Sequence, residues 1–515
     1  MPEKEYRVFG PPGTGKTRWI SSQVLKALEK YTPSEIVCCS FTRAAAVELA
    51  GTGTGLPEGN IGTIHSLCYR ALQRPVIIET DNDLLAEWNT QHSDPKWKVT
   101  GKLNIDDMQA KAGDRLQVYN RARGMLLKDT LAPRFAAAWE AFKREHDCVD
   151  FTDLLLHAPP TTGARVLMVD EAQDLTPLEG QVVRMWGQNT NRFVMAGDDD
   201  QCVYDFLGAD PNVFLSELPE DQKLHLKRSY RLSRAVYECA EAWIHGLHGP
   251  REEKQYEPAR EGGTVERSRL SFANVQSLVD EVAERADKGQ TVMLLASCGY
   301  MLHRMIARLR QEGLPFHNHY RQNRGDWNPL RATARKLTAF AECCECAQGA
   351  KSWTIDPDAW LPWLKLLRAE CFLDTKKAAL TVPVAADEEW LESIASDDLL
   401  RALLETDAKW LVEHMTAAAA KASAYPLLVH QQGGADALSK TPRITIGTIH
   451  SVKGGEADAV YLAPDISYEA HQYLQRTGHR AADALRRLFY VGMTRARHDL
   501  ILCEVSTIGR KVQWQ

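Results

Sequence analysis

Near the start of the chain, Gly10-Pro11-Pro12-Gly13-Thr14-Gly15-Lys16-Thr17 fills every position of the phosphate-loop pattern G-x-x-x-x-G-K-[ST]. The glycines let backbone N–H groups face a polyphosphate, and the helix that follows adds the positive end of its dipole. Lys16 has the reach for β- and γ-phosphates, and the Thr17 hydroxyl suits Mg²⁺. A second group is Asp170-Glu171-Ala172-Gln173-Asp174. An Asp at a strand end holds Mg²⁺ directly or through water, and a Glu beside it orients and polarises an attacking water. Gln201, in the segment released by the next strand, is placed to sense a γ-phosphate. A glycine turn and a surface acidic turn that bind nothing are the alternatives. The apolar strand ahead of each segment weighs against them.

Other residues suit a nucleic-acid chain. Ile61-Gly62-Thr63-Ile64-His65-Ser66 recurs unchanged as Ile446-Gly447-Thr448-Ile449-His450-Ser451, which points to two related cores presenting one loop. Thr63, His65, Thr448 and His450 suit a role as neutral donors for phosphate oxygens; each histidine alone could as easily be a satisfied structural residue, and the repetition tilts the reading toward function. Thr42 and Arg43 sit at a strand-to-helix exit, where a phosphate fits. Phe41 is a candidate for stacking on a base, as are Tyr204 and Phe206, which face one side if their segment is extended. For Phe41 and Tyr204 a core position is an equal alternative. Arg486–Arg497 reads as one cation-rich helix on which Arg495 and Arg497 do not share a face.

The elements that must position these groups alternate between strand and helix. Strands are expected at Tyr6–Phe9, Glu35–Phe41, Arg165–Val169 and Arg192–Ala196, then at Thr291–Ala296, Arg443–Ile446, Ala459–Ala463 and Leu500–Cys503. Leu224–Ser233 reads as a strand and the capped start of a helix. Tyr300–Glu312 reads as an amphipathic helix ending at Gly313. Helical segments without a buried-strand pattern fill Pro75–Asp147 and Arg331–Lys440, the latter leaving through Gln431-Gln432-Gly433-Gly434. The expected class is α/β, with two parallel-sheet domains that each carry a helical insertion. The first domain takes residues 1–75 and 148–230, with an insertion at 76–147; the second takes 231–330 and 441–515, with an insertion at 331–440.

Composition narrows the classes. A chain of 515 residues needs two to four domains, and 44% apolar with 25% charged residues is ordinary for a globular protein. No apolar run spans a membrane, the charged N-terminus leaves no room for a signal peptide, and Cys38 and Cys39 in an expected buried strand make a reduced, cytoplasmic protein the simple reading. Net charge is −6, so nucleic acid must be held by a local groove, not by bulk attraction. Twelve cysteines in this length are not a disulfide scaffold. The crowded Cys343, Cys344 and Cys346, with Cys371 downstream, lack the partner spacing of a metal site and read as free thiols.

Taken in order, GPPGTGKT, SFTRAAAVEL, TIHS, DFTDLL, DEAQD, GDDDQCVYDFLGA, SYRLS, GTIHSVKGGEAD and YVGMTRAR resemble the superfamily 1 helicases of the UvrD/Rep/PcrA group across nearly the whole chain. The resemblance implies two RecA-like domains, ATP in the cleft between them and single-stranded DNA across both. It implies that Gly10, Pro11, Pro12, Gly13, Thr14, Gly15, Lys16 and Thr17 cradle phosphate and Mg²⁺, with Arg18 near the nucleotide. Asp170 would bind Mg²⁺, Glu171 activate water and Gln201 couple the γ-phosphate to DNA. Tyr230 would stack on adenine, Glu456 contact the ribose, and Arg231 and Arg495 act as arginine fingers. Phe41, Thr42, Thr63, His65, Tyr204, Phe206, Thr448 and His450 would line the DNA track.

Some positions depart from the family pattern. Leu207 stands where an arginine is usual, and Phe206 where a tryptophan is frequent. The family's upstream adenine-reading glutamine segment and a C-terminal nuclease are expected to be missing, and both insertions to be short. The function implied is an ATP-dependent, 3′→5′ DNA helicase acting on single-stranded and tailed duplex DNA, with ATP and Mg²⁺ as cofactors and no protein partner indicated. A translocase or protein-displacing ATPase with weak unwinding is the alternative. A nucleotide-switched binding module is a third reading, and RNA as the track stays open.

Overall fold

The computed structural model describes residues 5–41, 51, 53–101, 114–330, 364–373, 388–405, 410, 413–506 and 510–514. The chain divides into two compact units. The first comprises Met1–Arg269, Leu295–Tyr300 and Thr448–Gln515, and the second Leu270–Leu294 and Met301–Gly447.

Six strands form the first sheet: β1 (Glu5–Phe9), β2 (Ile36–Ser40), β3 (Ile61–Thr63), β4 (Val166–Asp170), β5 (Arg192–Gly197) and β6 (Lys223–His225). Their order is β3-β2-β4-β5-β1-β6, and every neighbouring pair is parallel. A parallel strand is covered on both faces, so it reads as a continuous apolar run, as Val166-Leu167-Met168-Val169 does. Alternate residues then pack on opposite sides. Val8, Ile36, Cys38, Met168 and Val194 meet Ile20 and Val24 of the helix Lys16–Leu28. Phe9, Val37, Cys39, Val169 and Met195 meet Val182, Val183 and Trp186 of the helix Pro177–Gln188.

Because all six strands run the same way, their C-terminal ends share one edge. The phosphate loop leaves β1 there, Ser40 and Phe41 leave β2, Thr63 ends β3, Asp170 ends β4, and Asp198 follows β5. Open α/β sheets bind ligands on that edge.

A short parallel pair follows, β7 (Arg228–Ser233) with β8 (Glu257–Arg260). The expected single strand at Leu224–Ser233 is therefore two, β6 and β7, with Ser233 as the N-cap of the helix Arg234–Ile244. A second six-stranded sheet has β9 (Thr264–Ser271), β10 (Val292–Ala296), β11 (Phe316–His317), β12 (Ile444–Thr448), β13 (Ala457–Leu462) and β14 (Ala496–Glu504), in the order β11-β12-β10-β13-β14-β9. Parallel sheets flanked by helices are the two RecA-like cores expected from the sequence.

The expected helix Arg486–Arg497 is shorter at its end. The observed helix His479–Met493 stops at Thr494, and the backbone is already strand at Ala496, which pairs with Ala457 of β13. Long-range pairing with β13 overrides the helical propensity of the cation-rich tail. The exit through Gln431–Gly434 is also corrected. The helix Ala417–Ser439 continues past it with a kink at Gly434, where φ is 67°. Glycine takes that conformation without the steric cost a side chain would bring.

In the first unit, the helices Asn82–Gln91, Arg115–Gly124 and Pro133–Glu145 close around Trp88, Phe135, Trp139 and Phe142. Asp150 and Asp153, a capping box at the helix Phe151–Leu156, pair with Arg123 and Lys143 of those helices. In the second unit, the helix His303–Gln311 ends at Gly313 with φ 65°, and Tyr425 donates to the Leu314 carbonyl at 2.7 Å. Cys343, Cys344, Cys346, Trp360 and Trp363 lie outside the described residues, whose cysteines are free thiols. No described helix is long and apolar enough to cross a membrane.

Candidate nucleotide and nucleic-acid site

The phosphate loop is set by two glycines in the left-handed region, Gly13 at φ 72° and Gly15 at φ 81°. A Cβ at Gly13 would lie 2.3 Å from Arg231 Cβ. The Gly10 N–H donates to the Gly197 carbonyl at 2.9 Å, and the Thr14 hydroxyl closes the turn onto the Pro11 carbonyl at 2.8 Å. Gly15 caps the helix Lys16–Leu28 without a side chain, and no acidic residue stands in its first turn. Its leading N–H groups are thus left to an anion. Lys16 Nζ donates to the Gly10 carbonyl at 2.9 Å and lies 4.0 Å from Glu171. Arg18 is exposed on the first helical turn.

Strand β7 is tied to this loop. Ser229 Oγ donates to the Pro12 carbonyl at 2.7 Å, and the Tyr230 N–H donates to the Gly13 carbonyl at 2.9 Å. Tyr230, the adenine partner that the resemblance implies, is 61% exposed beside the loop.

Glu171 has φ 53°, uncommon for a side chain of its kind and a mark of a position held by its surroundings. Its N–H donates to Asp170 at 2.9 Å, and Gln173 Nε2 donates to its carboxylate at 2.6 Å. Lys453 Nζ lies 3.2 Å from Glu171 and also pairs with Asp174. Burial raises the Glu171 pKa, but the Lys453 and Lys16 ammoniums outweigh it and hold the carboxyl down to about 2. Asp174 goes the other way, to about 6, because burial exceeds the help from Lys453.

For Mg²⁺, the donor set is hard oxygen: the Thr17 hydroxyl and the buried Asp170 carboxylate. Ser40, the register partner of Asp170 on β2, has a buried hydroxyl without a hydrogen-bond partner among the described residues. Oxygens of this kind fit a hydrated Mg²⁺. A second carboxylate group, Glu140, Asp150 and Asp153, already holds the Lys143 ammonium, which fills the place of a cation.

Gln201 ends the turn Asp198–Gln201. Its Nε2 donates to Asp198 at 2.7 Å, and its Oε1 accepts from Arg495 Nη2 at 3.1 Å. Arg495 is 1% exposed and also donates to the Val491 and Gly455 carbonyls. Arg231 pairs with Glu456 at 2.8 Å, and Arg497 pairs with the same carboxylate at 2.9 Å. Glu456, for which the resemblance implies a ribose contact, thus lies between two guanidiniums.

The nominated track residues separate by burial. Both hexamers make the same turn: Ser66 N–H to Thr63 Oγ1 at 3.1 Å, and Ser451 N–H to Thr448 Oγ1 at 3.2 Å. The Ser66 and Ser451 hydroxyls donate back to the Thr63 and Thr448 carbonyls. His65 keeps a third of its side chain at the surface, whereas His450 is buried against the Val203 carbonyl. Segment Tyr204–Leu207 is a tight helical turn, not extended, so Tyr204 and Phe206 do not share a side by strand alternation. Tyr204 is 3% exposed and touches Phe41, Phe206 and His450, with Lys453 Nζ 5.4 Å from its ring centre. Phe41 and Phe206 are half-buried at its sides. Thr42 lies outside the described residues.

Residues 1–221 match the family description "UvrD/REP helicase N-terminal domain" and residues 426–507 match "UvrD-like helicase C-terminal domain", together more than half of the chain. The chain belongs to the UvrD/Rep/PcrA family of superfamily 1 helicases. It is similar to the ATP-dependent DNA helicase UvrD2 of Mycobacterium tuberculosis, 26% identical over 96% of this chain and 76% of that protein. DNA helicase II of Escherichia coli is 24% identical over 51% of this chain and 41% of its own length. The ATP-dependent DNA helicase PcrA of Leuconostoc citreum is 26% identical over 46% of this chain and 36% of its own.

Within this UvrD-type site, the structure brings in four groups to which the sequence motifs assign no role. Lys453 sits two residues past the second hexamer, a position that spacing alone does not mark. Asp198 and Ser229 act through hydrogen bonds with residues far along the chain, Lys254 and Pro12. Lys254 did leave a trace: Lys254, Tyr256 and Pro258 are buried and the residues between them exposed, an inward alternation leading into β8.

Proposed function

We propose that this ATP-dependent DNA helicase moves 3′→5′ along single-stranded DNA and opens duplex from a 3′ tail. The observation that carries the reading is one continuous run of hydrogen bonds. Gln173 joins Glu171 to the Asp198 N–H, Asp198 joins Gln201, and Gln201 joins Arg495. Tyr204, three residues on, touches Phe41, Phe206 and His450. A change at the phosphates is thereby passed to the aromatic group proposed to meet the bases.

In this reading the loop N–H groups and Lys16 bind the phosphates, and Tyr230 stacks on the base. Thr17 and Asp170 hold Mg²⁺, which when bound neutralises charge on the phosphate oxygens. Glu171, ionised at neutral pH, orients the attacking water and takes its proton. Gln201 and the Arg231 and Arg495 guanidiniums register the γ-phosphate. Phe41, Thr42, Thr63, His65, Phe206, Thr448 and His450 line the strand.

The burial of Tyr204 favours a second reading, a translocase that displaces proteins and unwinds weakly, since one stacking ring is withdrawn from the surface. Unwinding of 3′-tailed against 5′-tailed duplexes, run beside DNA-stimulated ATPase, tests both. The helicase reading expects unwinding of the 3′-tailed substrate only. Strong stimulated ATPase with little unwinding selects the translocase, and activity on the 5′ tail alone overturns the polarity.

A further inference from the structure

Three consecutive aspartates, Asp198, Asp199 and Asp200, are fully buried. All three converge on one ammonium. Lys254 Nζ lies 2.9 Å from Asp198, 2.6 Å from Asp199 and 2.8 Å from Asp200, and its side chain is 1% exposed. Arg251 adds a guanidinium to Asp200 at 2.9 Å and reaches Glu241 at 3.3 Å. The Glu252 N–H donates to Asp199 at 3.1 Å, and Arg487 Nε to the Asp199 carbonyl. The stretch Arg251–Lys254 therefore acts as a clamp on the turn that carries Gln201.

Three carboxylates this close repel one another, and burial raises that cost. Without a cation among them the turn would open or take up protons. Asp198 is the member that matters for chemistry. Its Oδ2 accepts from Gln201 Nε2, and its Oδ1 from Lys254 Nζ. The ammonium therefore fixes the carboxylate that fixes the amide, and the amide oxygen faces Arg495.

We infer that Lys254 is a positioning residue for hydrolysis, holding Gln201 in register with Arg495 through Asp198 without touching nucleotide. The inference rests on the ATPase reading given above. Outer partners that orient metal ligands contribute about 10- to 100-fold to activity, and a loss of the same order is expected here.

The test is a double-mutant cycle on steady-state ATPase, with and without single-stranded DNA, using Lys254→Met, Lys254→Arg, Gln201→Ala and Lys254→Met with Gln201→Ala. Lys254→Met/Asp199→Asn, which removes the charge pair together, replaces Lys254→Met if the single variant does not fold. The expected result is a fall in DNA-stimulated kcat of about 10- to 100-fold with KM for ATP within about threefold, and recovery of most of it in Lys254→Arg. In the Gln201→Ala background, Lys254→Met costs nothing further. An equal loss in that background, or unchanged kcat in a folded variant, overturns the inference. Wild-type hydrolysis that ignores DNA overturns the helicase reading instead, and the same cycle on basal kcat then decides the role of Lys254.

Discussion

Arg495 donates to the side-chain oxygen of Gln201 at 3.1 Å, between a helix end and a turn 294 residues apart in sequence. Arg495 also donates to two backbone carbonyls, so its guanidinium is held by several acceptors at once. Arg495→Ala is expected to lower DNA-stimulated kcat by about 10³-fold or more while leaving nucleotide affinity within about tenfold. Single-turnover hydrolysis beside fluorescent-nucleotide titration measures both. A loss confined to affinity would remove the finger role.

Glu171→Gln keeps the contacts of the carboxylate but not its basicity. Hydrolysis should fall by about 10²- to 10⁴-fold, with ATP and DNA binding preserved. A folded carboxyl at about 2, below its unfolded value, is ionised at every working pH. It contributes stability above its unfolded pKa that is lost as pH falls toward 2. The wild-type kcat profile should therefore show no acidic limb from Glu171 near pH 4 to 5. Lys453→Met should introduce one and destabilise the fold by about 3–5 kcal/mol, because Glu171 and Asp174 lose their shared ammonium. A flat profile in a folded Lys453→Met protein would separate Lys453 from the base.

Glu179 titrates in the opposite sense. It is buried at the start of the helix Pro177–Gln188, closes a capping box with Thr176, and burial raises its pKa to about 7. Between its unfolded value and 7 the folded state holds a proton that the unfolded chain has released, so stability falls as pH rises through that window. Glu179→Gln keeps the box and removes the dependence. At pH 8 the variant should be more stable than wild type by about 1–3 kcal/mol, with the gap closing toward pH 5. Thermal melts that stay parallel across that range would refute the assignment.

Gly13→Ala combines a left-handed φ of 72° with a Cβ 2.3 Å from Arg231. Strain of about 1–3 kcal/mol is expected, together with loss of nucleotide binding, since the loop and β7 must part to make room. Calorimetric titration with ATP against wild type measures it. Retained affinity would show that the loop opens freely.

Local order was legible in the sequence because it depends on neighbours in the chain. The phosphate loop, the apolar runs of β2, β4 and β5 and the Gly313 stop are each written in a few adjacent residues. So was the pairing of the two hexamers, whose identical residues close identical turns. What only the tertiary structure decided is what lies across the fold. Strand pairing with β13 ended a helix at Met493 that propensity would have continued to Arg497. Burial turned Tyr204 inward, and electrostatics placed Lys453 on Glu171 and Lys254 under three aspartates. A lysine's sequence neighbours do not reveal which carboxylate it will meet, because that choice is made by desolvation and by strands brought together from distant parts of the chain.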